Sequence, residues 1–68
     1  MIKGAFVGFG NIAEHGHLPA YRELGIDIVA AVDNCSTRKN IARGYGLKGY
    51  STIRSLVENE KIDFIDLC

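Results

Sequence analysis

The chain has 68 residues, a length at which only about 60% of the unfolded surface is buried on folding, so one small domain is its upper limit. Its composition is globular, 47% hydrophobic with a single proline, and its eight basic and eight acidic side chains cancel, which leaves no electrostatic footprint for nucleic acid or an anionic membrane. No apolar stretch approaches the roughly 20 residues that span a bilayer, and the apolar part of Met1 to Val7 is too short for a signal peptide.

The first predicted strand, Ile2 to Val7, ends in Gly8-Phe9-Gly10-Asn11-Ile12-Ala13, which fits the G-x-G-x-x-A form of a dinucleotide-binding turn. Gly8 permits a tight turn out of the strand, Gly10 lets the backbone approach a pyrophosphate, and Ala13 lets the next helix pack close to the sheet. Asn11 and Ile12 supply early helix amides, which would face a diphosphate where the helix dipole favours negative charge. Helix one is expected from Asn11 toward Leu24, stopping at Gly25. Pro19 cannot donate to the carbonyl of His15, so a kink or a restart is expected around Gly16 to Pro19.

Strand two, Ile26 to Val32, is almost continuously apolar, as in a parallel sheet covered on both faces. It ends in Asp33, 23 residues beyond Gly10 and close to the spacing of a ribose-binding acid; the alternative is that Asp33 merely caps the following helix. Ser36 is the expected N-cap of helix two, which carries Ile41, Ala42 and Tyr45 on one side and stops at Gly44 or Gly46. A short extended piece, Leu47 to Tyr50, leads to Ser51 or Thr52 as the next cap, and helix three places Ile53, Leu56 and Val57 at i, i+3, i+4 spacing. Lys61 to Cys68 then reads as strand three.

Strands alternating with helices imply a parallel sheet. The expected fold is α/β, half of a doubly wound Rossmann-type sheet (βαβαβ, strand order 3-2-1). Residues 1–68 would form the N-terminal part of a dinucleotide-binding domain, the front of a longer protein. Strand one would lack a neighbour on its far side, an exposed edge that invites pairing.

The stretch Val7-Gly8-Phe9-Gly10-Asn11-Ile12-Ala13 through His17-Leu18-Pro19-Ala20-Tyr21 resembles the start of the Gfo/Idh/MocA oxidoreductases. Ala30-Ala31-Val32-Asp33, Tyr50-Ser51-Thr52 and Ile62-Asp63-Phe64-Ile65-Asp66-Leu67-Cys68 resemble that family's later landmarks. The resemblance implies an N-terminal NAD(P)-binding domain of a dehydrogenase acting on a sugar, cyclitol or similar polyol, with oligomerisation of the parent left open. It supplies no catalytic residue here, because the family's Glu-Lys-Pro lysine and Asp/His pair come later. Glu60-Lys61 precedes strand three and does not match that motif by context.

His15 and His17 are read as packing or capping residues around the kink, and Asp66 needs a partner if its strand is buried. Cys35 and Cys68 form no C-x-x-C pair and read as reduced cytosolic thiols, neither a disulfide nor a zinc site, with cytoplasmic location expected. The candidate cofactor-binding residues are Gly8, Phe9, Gly10, Asn11, Ile12, Asp33 and Arg38. NAD is the expected cofactor and NADP the weaker one. At about 5 Å and an effective dielectric of about 20, Asp33 and a 2′-phosphate repel by about 3 kcal/mol, and exposed basic groups such as Arg38 and Lys39 recover about 1 kcal/mol or less. Two other classes share these features. A non-catalytic nucleotide sensor or regulatory module needs only the residues present, whereas an S-adenosylmethionine methyltransferase usually carries a third glycine where this chain has Asn11-Ile12-Ala13.

Overall fold

A computed structural model describes residues 1–68 and has the expected α/β character, with one all-parallel sheet. Strands β1 (Lys3–Val7), β2 (Asp27–Val32), β3 (Lys48–Tyr50) and β4 (Phe64–Leu67) lie in the order β3-β2-β1-β4. Helix α1 (Leu18–Glu23), entered through a π-helical turn at Ala13–His17, joins β1 to β2. Helix α2 (Ser36–Gly44) leads to β3, and α3 (Ile53–Asn59) leads to β4. None of these helices is long and apolar enough to cross a membrane.

The 3-2-1 order holds with a different third strand. Lys48–Tyr50, expected only as an extended piece, is that strand, paired to β2 as Ala30↔Lys48 and Val32↔Tyr50. The segment expected as strand three instead supplies β4 on the other side of β1, in register Gly4↔Phe64 through Val7↔Leu67. β1 is therefore flanked on both sides, contrary to the exposed edge expected for it. Three residues, Lys-Gly-Tyr, are too few to show a period, which is why β3 escapes a reading by pattern.

Between Gly4 and Ala5 the β1–β2 register slips: Gly4 faces Ile28 but Ala5 faces Ala30, so Val29 is an extra residue in β2. The two faces of the sheet carry separate cores. On one, Phe6, Phe9, Ala13, Leu18, Ile28, Ala31, Ala42 and Leu47 pack together beneath the first helical segment and α2. On the other, Ala5, Ala30, Val32 and Leu56 form a smaller cluster beneath α3. Gly4 has a packing reason: the Phe64 ring lies over it, and a Cβ there would sit 2.1 Å from that ring.

The expected irregularity in helix one takes the form of the π turn. The Leu18 N–H reaches back five residues to the Ala13 carbonyl. In a regular α-helix the Pro19 ring would meet the His15 carbonyl, and a widened turn immediately ahead of it relieves that clash. Helix α2 corrects the expected cap: Cys35, not Ser36, occupies the N-cap position, without a side-chain capping bond. In α3 the cap is Thr52, whose hydroxyl accepts from the Ser55 N–H at 3.1 Å.

Candidate functional site at the carboxyl ends of the strands

Open parallel sheets bind ligands beyond the carboxyl ends of their strands, at the point where the strand order reverses. Here the chain steps outward from β1 to β2 to β3 and then returns to the far side of β1, so the reversal lies between β1 and β4. The glycine turn leaves β1 there. Beside it, Val7, Gly8, Val32, Asp33 and Asn34 line an open crevice of about 230 Å³.

The two glycines serve different ends. Gly8 has φ +92°, a left-handed conformation that side chains disfavour, and a Cβ would stand 2.7 Å from the Cys68 carbonyl oxygen. Its N–H donates to the Val32 carbonyl at 2.7 Å, tying the turn to β2. Gly10 is exposed, and a Cβ on it would meet nothing within 4 Å. The space over its backbone is open to a ligand.

The first helical hydrogen bond runs from the Glu14 N–H to the Gly10 carbonyl at 3.0 Å. The amides of Asn11, Ile12 and Ala13 thus lie ahead of the ladder, without an intrahelical acceptor. Asn11 and Ile12 are exposed, while Ala13 is fully buried against the sheet, the close approach expected of a small residue there. Phe9 occupies a different place from the other turn residues. Its ring is fully buried, 5.8 Å from the Phe6 ring and 6.2 Å from that of Tyr45, so it anchors the turn to the core.

Asp33 does not cap α2, whose N-cap is Cys35; its carboxylate bridges two loop amides. Its Oδ2 accepts from the Phe9 N–H and its Oδ1 from the Cys35 N–H, each at 2.9 Å. It therefore staples the glycine turn to the entry of α2 while standing on the crevice wall. Those two amides, Phe9 first, hold its carboxyl below the usual carboxylate range despite some burial, and Arg38 and Lys39 add to the effect. Each oxygen keeps lone-pair capacity for a further donor.

Arg38 is tied down. Its Nε donates to the Phe9 carbonyl, its Nη2 to Glu14 Oε1 at 2.9 Å, and its guanidinium lies 5.7 Å from the centre of the Phe9 ring. Glu14 also accepts from the Tyr45 hydroxyl at 2.8 Å. A swing of Arg38 toward a ligand phosphate would break these bonds.

A second polar group lies where β4 ends beside the π turn. His17 Nδ1 stands 2.9 Å from Asp66 Oδ2, the Tyr21 hydroxyl donates to the same oxygen at 2.8 Å, and Cys68 Sγ lies 3.4 Å from His17 Nδ1. Asp66 thus has the partners its strand position requires. Burial pushes its carboxyl up, but the Tyr21 and His17 bonds outweigh this and leave it lowered; the same carboxylate raises the Tyr21 hydroxyl. His17, at the N-cap position of α1 with its ring 6.4 Å from that of Phe6, packs as expected. His15 does not: it is exposed, 3.4 Å from Glu14. The grouping joins residues about fifty positions apart, so no local motif announces it.

No family model matches this sequence, and no curated protein matches it.

Proposed function

We propose that the crevice binds the adenosine–diphosphate part of a nicotinamide dinucleotide, NAD in preference to NADP. The chain would be the cofactor-binding portion of a cytoplasmic Gfo/Idh/MocA-type oxidoreductase acting on a sugar, cyclitol or similar polyol. The observation that carries the reading is the pairing of the open Gly10 backbone with an ionised Asp33 fixed by hydrogen bonds against the same turn.

The residues fit such a group. Amides of Gly10, Asn11 and Ile12 would meet the diphosphate, with the positive end of the helical segment behind them. Asp33, already immobilised, would accept from the ribose hydroxyls at little further ordering cost. When bound, the nicotinamide supplies hydride transfer; this chain contributes binding and orientation, and no catalytic residue is assigned to it.

Selectivity follows from charge. A 2′-phosphate would meet the Asp33 carboxylate, while the nearest guanidinium, Arg38, is neutralised by Glu14. Two amides soften the Asp33 charge, so the expected preference for NAD over NADP is about tenfold or more, about 1.4 kcal/mol. Calorimetric titration of the chain with NAD, NADP and S-adenosylmethionine tests it. NAD should bind most tightly, Gly10→Val should abolish binding with the fold intact by circular dichroism, and Asp33→Asn should narrow the NAD preference. Equal affinity of the Gly10→Val variant for NAD, or tighter binding of S-adenosylmethionine, would sink the assignment.

A further inference from the structure

We infer that His17, Asp66 and Cys68 form a binding site for a thiophilic divalent cation of the zinc type at the carboxyl end of β4. The three side chains each offer one ligand atom, and those atoms all lie within 4.8 Å of one another. They come from two different elements, the π turn and the β4 end, so the fold and not a sequence motif brings them together.

The obvious rival is a thiol–imidazole–carboxylate relay, and the geometry argues against it. A relay needs the carboxylate on one ring nitrogen and the thiol on the other, so that a proton crosses the imidazole. Here Asp66 and Cys68 both address Nδ1. Donor atoms converging on one point, rather than strung along a ring, are the arrangement a cation requires.

Distances agree. Zinc bonds of about 2.0–2.3 Å in a tetrahedron put neighbouring ligand atoms about 3.3–3.7 Å apart. The 3.4 Å separation of Cys68 Sγ from His17 Nδ1 already fits, and the 2.9 Å between His17 Nδ1 and Asp66 Oδ2 must open by a few tenths. The donor set of one thiolate, one imidazole and one carboxylate suits zinc or cobalt and not magnesium or calcium, which take oxygen. Thiolate and carboxylate together balance the two positive charges; as the sulfur–metal bond forms, the thiol proton leaves to solvent.

The surroundings support ligation. The Tyr21 hydroxyl bonds to Asp66 Oδ2 and fixes the carboxylate from behind, as partners of metal ligands do. The His17 ring rests against Phe6 in the larger core. On the outer side, the His17 side chain is 41% exposed and Cys68 is exposed, which leaves an entry path and a fourth coordination position for water or an external ligand. Cys35, the other thiol, is exposed at the start of α2 and has no part in the group.

The test is titration of the chain with Co²⁺ under reducing conditions, followed by the thiolate-to-cobalt charge-transfer absorption. We expect one cobalt per chain, displacement by Zn²⁺, an unchanged band in Cys35→Ser, and loss of the band in Cys68→Ser and His17→Gln. Tyr21→Phe should keep the band but weaken affinity about tenfold. A parallel measurement needs no variant: in the wild-type chain, Zn²⁺ should protect Cys68 but not Cys35 from alkylation, read by mass spectrometry. No charge-transfer band, a band that survives Cys68→Ser or His17→Gln, or equal alkylation of both cysteines in zinc would overturn the site.

Discussion

Two glycines two positions apart carry unequal structural weight. Gly8→Ala must hold a side chain at φ +92° and push against the Cys68 carbonyl, so it should cost about 2 kcal/mol or more. Gly10→Ala meets open space and should leave stability almost unchanged. Urea unfolding of the two variants checks this; similar losses from both would mean that the turn is not built as described. Asp33 and Glu14 share a pH signature. The Phe9 and Cys35 amides hold the Asp33 carboxyl below its ordinary value, and the Tyr45 hydroxyl, then Arg38, do the same for Glu14. A lowered carboxyl contributes stability that is complete above its unfolded value and is lost as pH falls through its folded one. The urea midpoint should therefore drop below about pH 4, and less steeply in Asp33→Asn than in the wild type. A midpoint flat down to strong acid would show that these bonds contribute nothing.

At the scale of elements, what could be read in advance was what a few neighbouring residues decide. The glycine turn, the buried strand ending in Asp33, the disturbance ahead of Pro19 and the Thr52 cap all have local causes: a permitted φ, a hydrophobic run, a missing N–H, a hydroxyl placed to accept. Thr52→Ala removes the bond to the Ser55 N–H and should destabilise the chain by about 1 kcal/mol. A loss near zero by chemical denaturation would mean that water caps α3 equally well. Position in the sheet was not local. Nothing in Phe64 to Leu67 says that they pair with β1 and not β2, and the reason for that pairing, the Phe64 ring closing over Gly4, appears only once both strands are in place. The same holds for Asp66, whose partners His17 and Tyr21 lie in a helix far back along the chain.

Over the whole molecule the two faces of the sheet are unequal. The face with Phe6 and Phe9 is covered by the first helical segment and α2, whereas the other is covered by one short helix. There, Ile53 and Val57 of α3 stay 47% and 54% exposed and Leu67 of β4 76% exposed, although Leu56 is fully buried. The periodic spacing of Ile53, Leu56 and Val57 marks a helix, but of the three only Leu56 is buried. An apolar surface next to the open edge of β4 favours association with other chains. The 68-residue chain should unfold with a thermal midpoint that rises with protein concentration, and Val57→Lys should flatten that dependence. A sharp transition at one temperature across a hundredfold range of concentration would show that the smaller core suffices alone.

The bulge in β2 keeps Asp33 pointing at the glycine turn. Side chains alternate strictly along a strand, so parity counted from Ile28 would put Asp33 on the opposite face from Ile28, toward α3. Inserting Val29 without a partner changes odd to even: Ile28 and Ala31, three apart, both join the larger core, and Ala30 and Val32 join the smaller one. Asp33 then emerges on the Phe9 side, within reach of the Phe9 amide. Leaving one valine unpaired, four residues upstream of Asp33, keeps the carboxylate aimed at the glycine turn. Shortening β2 by that residue would leave a regular strand with the acid four places after Ile28 and still on the Phe9 side; keeping Val29 but pairing it would turn the acid away from the glycine turn.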